Sequence, residues 1–187
     1  MEKLLLVGSG GLGRVALESA RESFECSFVD DGYPVGTQIC GAEVVGNIDD
    51  LHSLFFRYTQ LVVSIGDNAL REKIYRKART LGYTFPNIIC SSAYISPYAR
   101  IGDGCIVLNN ACVQNGSKVG NGVVLNAGVE IHHDSFVDDY ALIYTNSVIR
   151  TQAKIGKRVK IGSNVTISNG IVVDDDKTIE NGCTLLL

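Results

Sequence analysis

Ile95, Ile101, Val107, Val113, Val119, Leu125, Ile131, Val137, Ile143, Ile149, Ile155, Ile161, Ile167, Val173, Ile179 and Leu185 stand six residues apart, and all sixteen are aliphatic. Two residues before each station lies a second row of small or aliphatic side chains. It runs Ala93, Ala99, Cys105, Ala111, Ser117, Val123, Val129, Ser135, Ala141, Ser147, Ala153, Val159, Val165 and Ile171, breaks at Lys177 and resumes at Cys183. A period of six suits neither an amphipathic helix nor an alternating strand. It suits a parallel β-helix in which each hexapeptide is one short strand and one corner, with the aliphatic residue pointing into the coil. Three faces close a coil, so a coil takes about 18 residues and this segment makes about five. Glycine follows the station at Gly102, Gly120, Gly156 and Gly162, and asparagine recurs at Asn109, Asn110, Asn115, Asn121, Asn126, Asn146, Asn164 and Asn169. Both residue types supply the turn conformations that corners require. An antiparallel sandwich with regular turns would not hold a six-residue phase over this length. Residues 91–187 are therefore expected to form a β-helix domain.

Residues 1–90 follow a different pattern. Lys3–Val7 is an apolar strand that runs into Gly8-Ser9-Gly10-Gly11-Leu12-Gly13, followed by a helical pattern over Arg14–Glu22. A second strand, Ser27–Val29, ends on Asp30-Asp31-Gly32. A third, Leu61–Ile65, meets Gly66-Asp67-Asn68, where Asn68 is expected to cap a helix over Ala69–Leu81. Strand, glycine loop, helix and strand make a βαβ unit on a parallel sheet. The loop matches G-x-G-x-x-G, whose glycines admit a phosphate to the backbone amides at a helix N-terminus. NAD is one ligand of such a loop, with Asp30 on the ribose. A dinucleotide, however, needs two mononucleotide halves, and this segment holds barely one and a half. A mononucleotide carrying another group, such as a nucleotide-sugar, suits the size better. A glycine loop that merely turns the chain is the competing reading.

Composition removes several function classes. The 17 Lys and Arg against 20 Asp and Glu leave a net charge of −3, which lacks the basic footprint of a nucleic-acid binder. No apolar run approaches the roughly 18–20 residues that span a bilayer, and the short run at Leu4–Val7 is no signal-peptide core. Cys26, Cys40, Cys90, Cys105, Cys112 and Cys183 are scattered without a C-x-x-C pair. They read as reduced thiols of a cytoplasmic protein rather than a disulfide or zinc framework.

Together the two halves resemble the sugar acetyltransferases of the sialic-acid O-acetyltransferase and bacillosamine N-acetyltransferase type. The resemblance covers nearly the whole chain. It is carried by Gly8–Gly13, Phe28-Val29-Asp30-Asp31, Ile65-Gly66-Asp67-Asn68 with Arg71, Ser92-Ala93-Tyr94-Ile95-Ser96, Asn126-Ala127-Gly128 and His133-Asp134. It implies a small Rossmann-like domain, α/β, followed by an all-β, left-handed helix of hexapeptide repeats. It also implies a homotrimer with active sites between subunits, and acetyl-CoA as co-substrate without a metal. By the same resemblance Gly8, Gly10, Gly11, Leu12, Asp30, Asp31, Gly66, Asn68 and Asn126 hold the nucleotide-sugar. His133 is the general base and Asp134 its partner. Leu142 and Thr151 fall at positions that contact the coenzyme. The chain departs from the family pattern at Leu12 and Leu142, where histidines are usual, and at Asn146 and Thr151, where glycines are. His132 stands where an acidic residue is common, and Asn181-Gly182-Cys183-Thr184-Leu185 replaces the customary glycine-valine-proline ending.

The residues themselves narrow the chemistry further. Of three histidines, His52 lies in an expected helix over Asp49–Phe56 and reads as a surface residue. His132 and His133 follow the inward Ile131 and so belong to the outside of a coil. A carboxylate beside an imidazole orients it and raises its basicity. A three-histidine zinc site of the β-helical carbonic anhydrase kind cannot be built from one adjacent pair. Lys154, Lys157, Arg158 and Lys160 form the densest basic cluster and suit the phosphates of coenzyme A. Cys105 and Cys112 lack basic neighbours that would make a thiolate. The expected activity is acetyl transfer from acetyl-CoA to the amine of a UDP-linked 4-amino-dideoxysugar used in surface-glycan synthesis. O-acetylation of a sialic-acid-like sugar and non-catalytic binding of a nucleotide-sugar are the alternatives. Ile106 and Leu108, read as outward and too apolar for water, add an expectation of a closed trimer.

Overall fold

Leu4, Leu5, Leu6 and Val7 are all completely buried, as a parallel strand covered on both faces requires. The computed structural model describes residues 1–186 and divides into two units, Met1–Ile88 and the chain from Ile89 onward. In the first unit the elements are β1 (Glu2–Val7), α1 (Gly11–Ala20), β2 (Phe24–Val29), β3 (Gln38–Ile39), β4 (Ala42–Gly46), α2 (Leu51–Leu54), β5 (Gln60–Val63) and α3 (Asn68–Thr80). The sheet order is β3-β4-β2-β1-β5. All neighbours are parallel except β3 and β4, which form an antiparallel hairpin.

The glycine loop joins β1 to α1 under tight steric control. Gly8 takes φ +99°, a conformation that L side chains rarely adopt, and a Cβ on Gly13 would collide with the carbonyl oxygen of Gly8. Helix α1 can therefore pack against the strand end only without a side chain at Gly13. Gly10 and Gly11 face open space. Three details differ from the sequence reading. Asp67, not Asn68, caps α3: its Oδ1 accepts the Leu70 N–H at 2.8 Å, and Asn68 is the first helical residue. The expected helix over Asp49–Phe56 is a 3-10 turn at Ile48–Asp50, closed by a reciprocal Asn47–Asp50 capping box, followed by the single turn of α2. The β3–β4 hairpin was not expected, because its turn places Cys40 (φ 48°) beside Gly41 (φ 75°) where Asn-Gly is the usual signal.

The second unit is the left-handed parallel β-helix. Among the described residues, sixteen two-residue strands from Tyr94–Ile95 to Thr184–Leu185 each end on one of the sixteen stations. Each pairs with the strand 18 residues along, as Lys118 with Phe136 and Phe136 with Lys154. The first face carries Tyr94–Ile95 and its repeats, the second Arg100–Ile101, the third Ile106–Val107. The stations and the second row fill the interior. Where that row carries serine, the hydroxyl is satisfied across the coil: Ser117 donates to the carbonyl of His132, Ser135 to Arg150 and Ser147 to Gly162.

The corners repeat as strictly as the stations. From Gly104 to Gly182 every sixth residue, fourteen in all among the described residues, has a positive φ near 60–70°. Tyr140, Gln152 and Arg158 take this conformation as well as glycine and asparagine. Gly102, Gly120, Gly156 and Gly162 play a different part from the one read in the sequence. They are not turn glycines; a Cβ there would press on Asn121, Asp139, Asp175 or Asn181 of the next coil. Ile106 and Leu108 also differ from expectation. They are 0% and 5% exposed within the single chain, so they present no apolar face to a partner.

Gly13→Ala is expected to destabilise the first unit by about 1–3 kcal/mol through overpacking. Gly11→Ala, with open space around it, should leave stability within about 0.5 kcal/mol. Urea unfolding of the two variants checks the contrast.

Candidate active site

Ile131 is fixed inward, so His132 leaves the first face and His133-Asp134 form the corner between the first and second faces. His133 is held at three points. Its backbone N–H donates to Oε1 of Gln114 at 3.1 Å, its Nδ1 lies 2.8 Å from Asp134 Oδ2, and its Nε2 lies 3.1 Å from the hydroxyl of Thr151. Asp134 is one of the positive-φ corner residues (φ 59°), and its N–H donates to the carbonyl of Asn115 one coil back. Its other carboxylate oxygen lies over Gly116, where any Cβ would collide with it. With Nδ1–H given to the carboxylate, Nε2 is the nitrogen that carries the lone pair. His132 makes a second imidazole–carboxylate pair, its Nε2 lying 3.1 Å from Glu130 Oε2, on the first face rather than at the corner.

Beside the corner opens a groove of about 560 Å³, lined by Gly116, Lys118, Asp134, Ser135, Phe136 and Lys154. Lys118, Phe136 and Lys154 are in register on successive coils, so the two ammonium groups flank an exposed ring. The thiols stay out of this chemistry. Burial pushes Cys105 up to about 12, and burial, with Glu130 nearby, raises Cys112. Among the described residues no group of three or more His, Cys, Asp or Glu could hold a metal ion, and no helix is long and apolar enough to cross a membrane.

In the first unit the glycine loop and the end of β2 are tied together. The backbone N–H and hydroxyl of Ser9 both donate to Asp30 Oδ2, at 2.7 and 2.6 Å, and the Gly32 N–H donates to Oδ1 at 2.8 Å. Burial works to raise the Asp30 carboxyl, but these hydrogen bonds hold it below its ordinary value. Asp31 Oδ1 accepts the Ile48 N–H. Around Gly66, Arg71 is completely buried, and its Nη1 donates to the carbonyl of Ile65 at 2.8 Å. The loop before α3 is thus braced as firmly as the loop before α1.

Family models match both units: a PglD N-terminal domain over residues 3–78, and a bacterial transferase hexapeptide of six repeats over residues 134–169. Comparison with curated protein sequences gives no match. Among solved structures, perosamine N-acetyltransferase from Caulobacter crescentus, with CoA and GDP-perosamine, superposes with a TM-score of 0.95 at 27% identity, covering 100% of this chain and 89% of that one. The acetyltransferase domain of PglB from Neisseria gonorrhoeae, with acetyl coenzyme A, gives a TM-score of 0.92 at 30% identity, covering 98% and 92%. The chain belongs to the sugar acetyltransferase family that joins a Rossmann-like domain to a hexapeptide helix. It is an acyltransferase by that membership.

Within this sugar acetyltransferase the expected site residues do not all converge. His133, Asp134 and Thr151 meet at one corner, and Lys154 lines the groove beside it. Gly8, Gly10, Gly11, Leu12, Asp30 and Asp31 gather at the strand ends of the first unit, with Gly66 before α3 and Asn68 at its first position. The basic cluster is dispersed, because adjacent residues in a β-helix lie on different faces. Lys157 and Arg158 occupy another corner, where Lys157 sits over the ring of Tyr140 and Arg158 forms a two-pronged pair with Asp176. Lys160 is on the third face over Tyr144. Asn126 is at the third corner and donates to the carbonyl of Ile143. Leu142, on the third face, is 1% exposed and offers no surface to a coenzyme from within its own chain. Lys118, Phe136, Gly116 and Gln114 were not singled out from the sequence, although an 18-residue step from Lys154, Asp134 and His132 reaches all four.

Because the folded Asp30 carboxyl lies below its unfolded value of about 3.9, its stabilisation is present above that pH and is lost as pH falls through the folded value. Asp30→Asn is expected to cost about 1–3 kcal/mol at neutral pH. The difference from wild type should shrink below about pH 4, which urea unfolding at the two pH values measures.

Proposed function

We propose that this acetyltransferase moves the acetyl group of acetyl-CoA onto the amine of a nucleotide-linked 4-amino-dideoxysugar, UDP-linked by first choice, with His133 as general base. The observation that carries the reading is the Nδ1–Asp134 hydrogen bond, which leaves Nε2 to take a proton at an exposed corner. The neutral amine attacks the thioester carbonyl, its proton passes to Nε2, and Asp134 steadies the imidazolium. The C–S bond breaks as the intermediate collapses, and the proton on Nε2 accompanies the departing thiolate. The solved perosamine N-acetyltransferase with CoA and GDP-perosamine supports transfer to nitrogen over transfer to oxygen. It also makes GDP-sugars the second arm of any substrate panel.

The nucleotide is read at Gly8–Gly13, where Gly10 and Gly11 leave space for a phosphate against the start of α1. Coenzyme phosphates are read at Lys154, Lys157, Arg158 and Lys160. Residues that lie at different corners of one prism meet only when a second subunit brings its own corner alongside. That dispersal supports a homotrimer with shared active sites. Light scattering should give about three times the 20.2 kDa chain mass, and a stable monomer would remove the shared site.

CoA release with a panel of UDP- and GDP-linked amino-sugars tests the reading directly; binding without release would instead identify a nucleotide-sugar-binding protein. His133→Ala should lower kcat by about 10²–10⁴-fold with little change in either KM, and His132→Ala should do much less. Gly10→Asp should abolish nucleotide-sugar binding in calorimetry while leaving CoA binding intact. A carboxylate there fills and repels the phosphate position.

A further inference from the structure

The corner column that carries His133 continues into the next coil at Thr151, and this residue is placed rather than mobile. Its carbonyl accepts the N–H of Gly170 at 3.0 Å, so the coil above fixes its backbone. Its hydroxyl lies 3.1 Å from His133 Nε2, while Asp134 Oδ2 lies 2.8 Å from Nδ1. The imidazole is therefore held at both ring nitrogens by side chains of its own chain. His132, one residue away, has a single carboxylate partner on Nε2.

We propose that Thr151 is a positioning residue for the base, its hydroxyl holding Nε2 until the substrate amine takes its place at that lone pair. The inference rests on His133 being the base. A neutral imidazole that has given Nδ1–H to Asp134 presents a lone pair at Nε2, to which the hydroxyl donates. The substrate amine displaces the hydroxyl from that single lone pair and delivers its proton there; the nitrogen is then a donor, and the hydroxyl, turned about its C–O bond, can accept from it until the proton leaves with the thiolate. A hydroxyl is suited to this exchange because it carries one donor and two acceptor lone pairs on a freely turning group. A carboxylate at the same point would only accept, and an amide N–H would only donate. Holding the second nitrogen also resists rotation of the ring about its Cβ–Cγ bond. Asp134 alone, on one nitrogen at a corner 61% exposed in its side chain, leaves that rotation open. The backbone around Thr151 has no positive φ of its own; that conformation falls on Gln152. Valine can therefore replace it with little change of shape.

The test uses the full-length protein labelled with ¹⁵N-histidine, together with steady-state kinetics on the sugar that the panel identifies. In Thr151→Val the His133 Nε2 resonance should move toward that of an unbonded pyridine-type nitrogen, and in Thr151→Ser it should return to the wild-type position. His133→Ala assigns the signal. Thr151→Val should lower kcat by about tenfold with KM for acetyl-CoA and for the sugar unchanged, and Thr151→Ser should restore kcat to within about twofold. An unmoved Nε2 signal in the valine variant, or a rise in the acetyl-CoA KM at constant kcat, overturns the inference and leaves Thr151 a coenzyme contact. If His133→Ala itself keeps full activity, the base assignment fails instead, and the resonance data still report whether the hydrogen bond exists.

Discussion

The second unit depends on one backbone constraint: at most of its corners an amide turns down to a carbonyl of the coil before it. The residues that do so have positive φ. Asp134, Tyr140, Asn146, Arg158, Asn164 and Asp176 each donate to a carbonyl 19 residues earlier. An L-residue in the left-handed region costs roughly 1–2 kcal/mol, and each of these bonds satisfies an amide that would otherwise be stranded between coils. Because the constraint recurs every six residues, it locks the station that follows to the interior and the residue before that station to the outside. A slip of one residue would turn the whole interior outward.

That lock explains what could be read in advance. The sixteen stations were visible because a buried aliphatic side chain leaves a compositional mark. The corner positions were only half visible. Gly116 and Asn146 look like turn residues, whereas Tyr140, Gln152 and Arg158 do not, and only their phase identifies them. The basic cluster misled for the same reason. Proximity along the chain is a poor guide in a prism, where three residues carry the backbone around a corner and 18 bring it to a neighbour. Lys154 belongs with Lys118 and Phe136, on three successive coils of one face, and not with Lys160. Thr151 entered the reading by resemblance, as a coenzyme contact; its place above His133 follows from the 18-residue step alone.

In the first unit the glycine loop was legible because its glycines answer to separate needs: φ at Gly8, close approach at Gly13, open space at Gly10 and Gly11. Asp30 stood out in the sequence, and the folded chain gives its carboxylate a bracing task. An acidic residue at the end of β2 is read as a ligand to a ribose, and in the folded chain both its oxygens already accept hydrogen bonds from Ser9 and Gly32. Its charge braces the loop proposed to meet the phosphate, so a substitution there would loosen that loop even without touching a ligand. Asp67 and Asn68 show the finer limit. Either can cap a helix, and the difference is one residue of register.

The choice between the two adjacent histidines follows from where the ladder lets the chain go. The His132 amide is part of the coil, donating to the carbonyl of Ile149, and its side chain stays on the first face with Glu130. The His133 amide falls between ladder positions and is taken up by a side chain, Gln114, so this residue projects from the corner. Asp134, next along, is the corner residue itself, held by Asn115 below it and seated over a glycine that leaves room for its carboxylate. The exposed imidazole is thus the one whose orientation is set by the most regular feature of the fold. A base has to be open to substrate and yet fixed in direction, and in a β-helix those demands meet at the residue just before the turned-down amide.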